Sequence, residues 1–201
     1  MKTKTIFLLT LLLACLSSFT QDDWQSAVQK ERDERDAEFA DTERSILKEE
    51  DLAHFKGLEY FPIQEKYRVK VKVKRIKRGK TFQMKTSTDR LPLYRPYATV
   101  TFEIDGEIRT LTVYQNLELI KKPEYEDYLF IPFTDDTSGN ECYGGGRYLD
   151  LRIAELKLGY IDFNRAYNPY CAYNSKYSCP IPPSENALDI SIEAGVKKFH
   201  D

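Results

Sequence analysis

The chain has 201 residues, enough for one domain of ordinary size with a real core. With 41% hydrophobic and 31% charged residues it has the balance of a soluble globular protein, and a net charge of −2 gives no global pull toward nucleic acid. No apolar run reaches the length of a membrane span.

Residues 1–20 read as a secretory leader: Lys2 and Lys4 are basic, Ile6 to Ala14 is a short apolar run, and Leu16 to Thr20 is a small-residue exit. Two cleavage readings compete. Leu12-Leu13-Ala14-Cys15 resembles a lipobox that would leave Cys15 lipidated, the one route to a membrane. Ser18-Phe19-Thr20 before Gln21 resembles an ordinary small-x-small site and favours simple secretion to the periplasm or beyond. Removing the leader leaves 28 basic against 32 acidic residues, a net charge of −4.

Residues 21–60 are expected to be a helical segment. Trp24, Val28, Arg35 and Phe39 share one stripe, and Asp22-Asp23 favour the helix start. Asp41 or Thr42 is placed to cap a second helical piece over 42–55, with Ile46, Leu47, Leu52 and Phe55 apolar. In 67–76, Tyr67, Val69, Val71 and Val73 alternate with Arg68, Lys70, Lys72 and Lys74, the period of a strand with one basic face. Nine Lys or Arg lie in 66–80; a lysine-protected sheet edge explains them better than an anion-binding stripe. The clearest hairpin is 97–114, turning at Asp105-Gly106. Counting outward pairs Ile104 with Glu107, Phe102 with Arg109, Val100 with Leu111 and Ala98 with Val113. On the other face Thr101 meets Thr110, Thr99 meets Thr112, and Tyr97 meets Tyr114. Further strands are expected at 80–86, 128–133, 147–153, 157–163 and 187–193. The pattern predicts a mainly β (α+β) chain whose antiparallel sheet curls into a barrel or sandwich, with residues 61–201 packed on the N-terminal helical segment as one unit.

Common catalytic and cofactor motifs are absent: no G-x-S-x-G, H-E-x-x-H, phosphate-binding loop or dinucleotide fingerprint, and only two histidines, His54 and His200. No cofactor and no metal set is legible. The polar residues concentrate instead in two proline- and glycine-shaped loops. In the first, Asp135, Asp136 and Thr137 are followed by Gly144-Gly145-Gly146, Arg147 and Tyr148. Consecutive glycines turn N–H groups toward an anion, and the Arg147 fork suits a carboxylate or phosphate. The structural alternative is a loop whose glycines supply positive φ and whose Arg147 pairs with an internal acid such as Asp162. The second loop is Asp162-Phe163-Asn164-Arg165-Ala166-Tyr167-Asn168-Pro169, continued through Tyr170, Cys171, Tyr173 and Tyr177 to Cys179-Pro180. Seven tyrosines lie between 143 and 177, offering flat apolar bodies with polar tips. In an exported chain Cys171 and Cys179 are expected to form a disulfide, closing nine residues for roughly 2.5 kcal/mol.

At these residues the chain resembles an uncharacterised bacterial family catalogued as domain of unknown function 1684. The resemblance rests on Phe55-Lys56-Gly57-Leu58, Tyr60-Phe61-Pro62-Ile63, Phe133-Thr134-Asp135-Asp136-Thr137, Tyr143-Gly144-Gly145-Gly146-Arg147-Tyr148-Leu149, Asp162-Phe163-Asn164, Ala166-Tyr167-Asn168-Pro169, Cys171-Ala172, Cys179-Pro180, Glu185-Asn186 and Ile192-Glu193-Ala194-Gly195. It implies one compact domain with no assigned activity. Cys142 stands where that family pattern has Thr, which argues against an essential role for its thiol. The residues favour a non-catalytic exported protein that binds a small or glycan-like ligand through Asp135, Thr137, Arg147, Tyr148, Asp162, Asn164, Tyr167 and Asn168. The competing readings are a hydrolase of an envelope glycan or ester using Asp135 or Asp136 with Asp162, and a structural or interaction module with no small-molecule site.

Overall fold

The computed structural model describes residues 23–200, so the expected leader, Cys15 included, lies outside the described residues. Helix α1 (23–40) buries Trp24, Val28, Arg32 and Phe39 and leaves Arg35 half-buried. The expected second helical piece shrinks to one turn, α2 (Glu49–Leu52). Side chains compete with the helix here. Asp41 Oδ1 accepts the amides of Glu43 and Arg44, and Ser45 Oγ accepts the amide of Leu47 while donating to the carbonyl of Phe39.

The basic alternating stretch forms two short strands, β1 (Arg68–Lys70) and β2 (Lys72–Arg75), with Val71 between them. β1 pairs antiparallel with β8 (Tyr160–Asp162), and the Val71 amide continues that contact to Gly159 O at 2.9 Å. β2 pairs instead with β4 (Leu93–Ile104), so one run of chain links two sheets. The larger sheet has the order β2-β4-β5-β6-β7, with β5 at Glu107–Asn116, β6 at Tyr128–Phe133 and β7 at Arg147–Arg152; β3 (Phe82–Gln83) pairs beside β4. The sheets do not close into a barrel; the arrangement is sandwich-like. β2 is a sheet edge with every residue exposed, the place where lysines block unwanted pairing.

The hairpin register is as counted from its turn, with Asp105 and Gly106 both at positive φ and Thr101 and Thr110 joined through their hydroxyls at 2.9 Å. At its base the register departs from expectation: Pro96, not Tyr97, faces Tyr114, because a bulge sits between Pro96 and Ala98. Proline has no N–H to give the ladder, and an irregularity absorbs that loss. The inward faces of the strands, with Phe163, Ile192 and Ala194, form the main core. A separate cluster of Met84, Tyr94, Tyr114, Phe130 and Tyr148 covers the other side of the sheet.

Helix α3 (Ile153–Lys157) connects β7 to β8. Residues 187–193, expected as a strand, make only a single parallel bridge, Thr134 with Ala187, and otherwise run as irregular chain. Their backbone is held partly by main-chain bonds to the 134–136 segment, Leu188 N to Thr134 O at 2.8 Å and Asp136 N to Ile190 O at 3.1 Å, and partly by side chains, as described next.

Candidate functional site

The sequence-derived site residues separate into three groups. The first is sealed. Arg147 is 0% exposed, and its guanidinium donates to both Asp135 oxygens at 3.2 Å, to Thr137 Oγ1 at 3.3 Å, to the Ile192 carbonyl at 2.9 Å and to the Ala194 carbonyl. Asp135 in turn accepts the Thr137 and Ser138 hydroxyls and the Ile192 amide, the last at 2.8 Å. The knot's bonds run within itself and to the Ile192 amide and the Ile192 and Ala194 carbonyls, pinning residues 192–194 against the sheet. Gly146 admits the turn that aims Arg147 inward: its φ is +85°, and a Cβ there would sit 2.5 Å from the Phe133 carbonyl. Arg147 thus pairs with an internal acid, as the structural alternative holds, but the acid is Asp135 rather than Asp162.

The second group is a joint. Asp162 accepts Trp24 Nε1 at 2.8 Å and the amide and side chain of Asn164 at 3.0 and 2.8 Å. Asn164, 1% exposed, exchanges two 2.9 Å bonds with the backbone of Gln64, standing in for a strand partner. Arg32 completes the joint by donating to the carbonyls of Phe61 and Asn164. These contacts tie α1 to the 61–64 segment and to the second loop. They also hold Asp135 and Asp162 in separate networks, so that pair does not face one substrate.

The third group opens to water. Tyr148, Tyr167 and Asn168 line a cleft of about 420 Å³ with Arg35, Glu38, Asp150, Tyr170, Tyr173, Tyr177 and Cys179. Asp150 is its chemical centre: Oδ1 accepts the Tyr128 hydroxyl at 2.6 Å and Oδ2 the Tyr167 hydroxyl at 2.8 Å. The carboxylate is solvent-exposed yet walled by protein on most sides, and this partial loss of water raises its pKa against the opposing pull of the two tyrosines and of Arg35 and Arg152. Burial pushes the Tyr128 and Tyr167 hydroxyls well up, so both remain donors. The Arg35 guanidinium lies 5.0 Å from the centre of the Tyr167 ring and has no hydrogen-bond or ion-pair partner among the described residues. Asn168 donates to the Lys197 carbonyl at 2.8 Å, whereas its Oδ1 is buried with no partner among the described residues.

Three of these groups, Asp150, Arg35 and Tyr128, were not among the site residues read from the sequence. The signals were present but faint. Asp150 is the one charge inside Tyr148-Leu149-Asp150-Leu151, and Arg35 is one of two cations, with Arg32, on the stripe that also holds Trp24, Val28 and Phe39. Among the described residues no cluster of three His, Cys, Asp or Glu is arranged to hold a metal ion.

The expected Cys171–Cys179 disulfide is not formed. Both are free thiols, with the Cys171 amide donating to Cys179 Sγ at 3.1 Å. The 3-10 turn Tyr170–Ala172 carries the Cys171 amide that meets the Cys179 sulfur. Cys142 is also free, and fully buried.

A family model described as "Protein of unknown function (DUF1684)" matches residues 53–197. Among solved structures, the chain is similar to the solution NMR structure of an uncharacterized protein of Haloarcula marismortui, with 36% sequence identity and a TM-score of 0.68. The match covers 89% of this chain and 96% of that one. No curated protein matches the chain at a significant level.

Proposed function

Starting from a chain that belongs to the DUF1684 family, we propose that it binds a small polyhydroxylated, glycan-like ligand in the cleft centred on Asp150. One observation carries the reading. A water-accessible carboxylate, fixed by two tyrosine hydroxyls, shares a tyrosine-lined cleft with the unpartnered guanidinium of Arg35. An open carboxylate accepts ligand hydroxyls, the free fork of Arg35 donates to ligand oxygens, and tyrosine faces cover the apolar side of a ring. The cleft is of a size that takes one or two rings, since ligand sites begin near about 300 Å³.

The basic, apolar and small-residue pattern of residues 1–20 supports a protein that works outside the cytoplasm, free or lipid-anchored through Cys15. The sealed Arg147–Asp135–Thr137 knot takes no part in this reading. Its role is to hold the loop that carries Tyr148.

The test is a glycan array followed by titration of any hit against the wild type, Arg35→Ala and Asp150→Asn. Binding that falls at least tenfold in both variants, with neither variant melting appreciably lower than the wild type, is the expected result. Undiminished binding in both variants, or no hit, removes the cleft reading. Release of product from a bound glycan, lost in Asp150→Asn, would convert the binder into a hydrolase whose carboxylate is Asp150 rather than Asp135 or Asp162.

A further inference from the structure

The rim of the cleft carries sulfur in an unusual setting. Cys171 is half-exposed, while Cys179, 7% exposed, lines the cleft wall. The 3.1 Å bond from the Cys171 amide holds the Cys179 sulfur against the Cys171 backbone. Tyr143 Oη stands 3.9 Å from Cys171 Sγ. Its ring is stacked over Gly145, where a Cβ would come within 2.4 Å of it. The Ser87 hydroxyl accepts the Cys179 amide at 3.1 Å and donates to the Tyr177 carbonyl at 3.3 Å. The other ionisable groups facing the pair are Tyr148 and, toward Cys179, Arg90. The half-exposed Cys171 sulfur therefore sits at the cleft rim with the Cys179 sulfur held against its own backbone amide and the Tyr143 hydroxyl within reach.

We propose that Cys171 is a peroxide-reactive thiolate and that Cys179 is the thiol that resolves it. In the first step Cys171 S⁻ attacks one oxygen of a hydroperoxide. An S–O bond forms, the O–O bond breaks, and the leaving alkoxide or hydroxide takes a proton from water. The sulfur is oxidised by two electrons to a sulfenic acid, and the peroxide is reduced to an alcohol or water. In the second step the Cys179 sulfur attacks Cys171, an S–S bond forms, the S–O bond breaks, and the Cys179 proton leaves with the hydroxyl as water. The covalent bond suggested by the sequence is then the product of a reaction rather than the resting state.

The electrostatics agree with this assignment of roles. The hydrogen bond from Cys179 lowers the Cys171 pKa to about 6 against the opposing effect of burial, helped by Tyr143 and Ser87. Cys179 is pushed the opposite way by giving its proton to that bond and by burial. Cys142, buried and raised, serves as an internal reference thiol. None of this depends on the glycan reading of the cleft.

The experiment uses the full chain, reduced, desalted and treated with one equivalent of hydrogen peroxide at neutral pH, with each thiol then mapped by peptide mass. The expected product links Cys171 to Cys179 and spares Cys142. Cys179→Ser traps a sulfenate on Cys171 that dimedone captures, and Cys171→Ser leaves the remaining thiols reduced at the same dose. Should either variant misfold, iodoacetamide competition on the wild type decides the same question. Cys171 should alkylate with a pH midpoint near 6 and about tenfold faster than Cys142 at neutral pH. Tyr143→Phe should move that midpoint upward. First oxidation at Cys142 or Cys179, or a Cys171 midpoint at the ordinary thiol value of about 8.5, overturns the proposal.

Discussion

The knot around Arg147 and the cleft around Asp150 are assembled from the same vocabulary, a guanidinium, a carboxylate and hydroxyls. Both draw on strand β7 or the residues flanking it. They differ in how completely the charges are matched. Arg147 and Asp135 are both fully buried and have partners for nearly every polar atom, leaving only Arg147 Nε without one. Arg35 has no hydrogen-bonding partner among the described residues, and Asp150 is held by tyrosines on one side and open to water on the other. A matched buried pair has nothing left to offer a ligand, so its role is to specify the fold. An unmatched pair at a wet cleft retains its binding capacity, and the fold must hold it in place by other means. Here the means are Tyr128, Tyr167 and the stacking of Arg35 on an aromatic face.

Breaking the matched side should have the largest effect. Arg147→Met leaves Asp135 as an uncompensated buried charge and frees residues 192–194, and a loss of about 3–5 kcal/mol is expected in urea denaturation. A loss below about 1 kcal/mol would mean the knot is not structural. Asn186→Ala comes next. This side chain accepts the Thr112 amide at 2.7 Å and donates to the carbonyls of Thr112 and Pro132, so its removal orphans three buried backbone groups. A loss of about 2–3 kcal/mol is expected, with the C-terminal segment becoming more susceptible to proteolysis.

On the unmatched side, Arg35→Ala should change stability by less than about 1 kcal/mol while removing ligand binding, which calorimetry and titration on one sample would separate. The smallest effect sharpens the contrast by sign. Because the folded state raises the Asp150 pKa, ionising this carboxylate weakens the fold, and the penalty is present above the folded pKa and relieved as pH falls through it. Asp150→Asn should therefore melt slightly higher than the wild type at neutral pH, and the difference should shrink in acid. A variant that melts lower at neutral pH would show that the two tyrosine bonds outweigh the lost hydration.

Much of the fold was legible because it is local. A two-residue Asp105-Gly106 turn dictates the register of everything that can be counted out from it, until Pro96 introduces a bulge that alternation does not announce. Tyr128–Phe133 was equally readable, as an apolar β-forming run bounded by turn residues. Residues 187–193 misled for a physical reason. Their alternation is real, with Leu188 and Ile192 buried, but the partner surface is the irregular 134–136 segment and the side chains of Arg147 and Asp135 rather than a named strand. Of the candidate site, the sequence located the right loops and mixed two populations within them. Tyr148 follows Arg147 directly, and the pleat sends one to the cleft and the other into the core.

Residue pattern alone therefore determined a β-rich chain with an N-terminal helix, its central hairpin and the segment that would hold the polar loops. These follow from periodicity and turn chemistry, which act over a few residues. Tertiary structure decided which acid Arg147 meets, that Arg35 on α1 reaches Tyr167 on a distant loop, and that two cysteines lie together as thiols. Those pairings join residues from 8 to 132 positions apart, and the energy that selects among them is desolvation, which depends on what else is packed nearby. A sequence states which groups are polar. Only the packed chain states which of them have been satisfied.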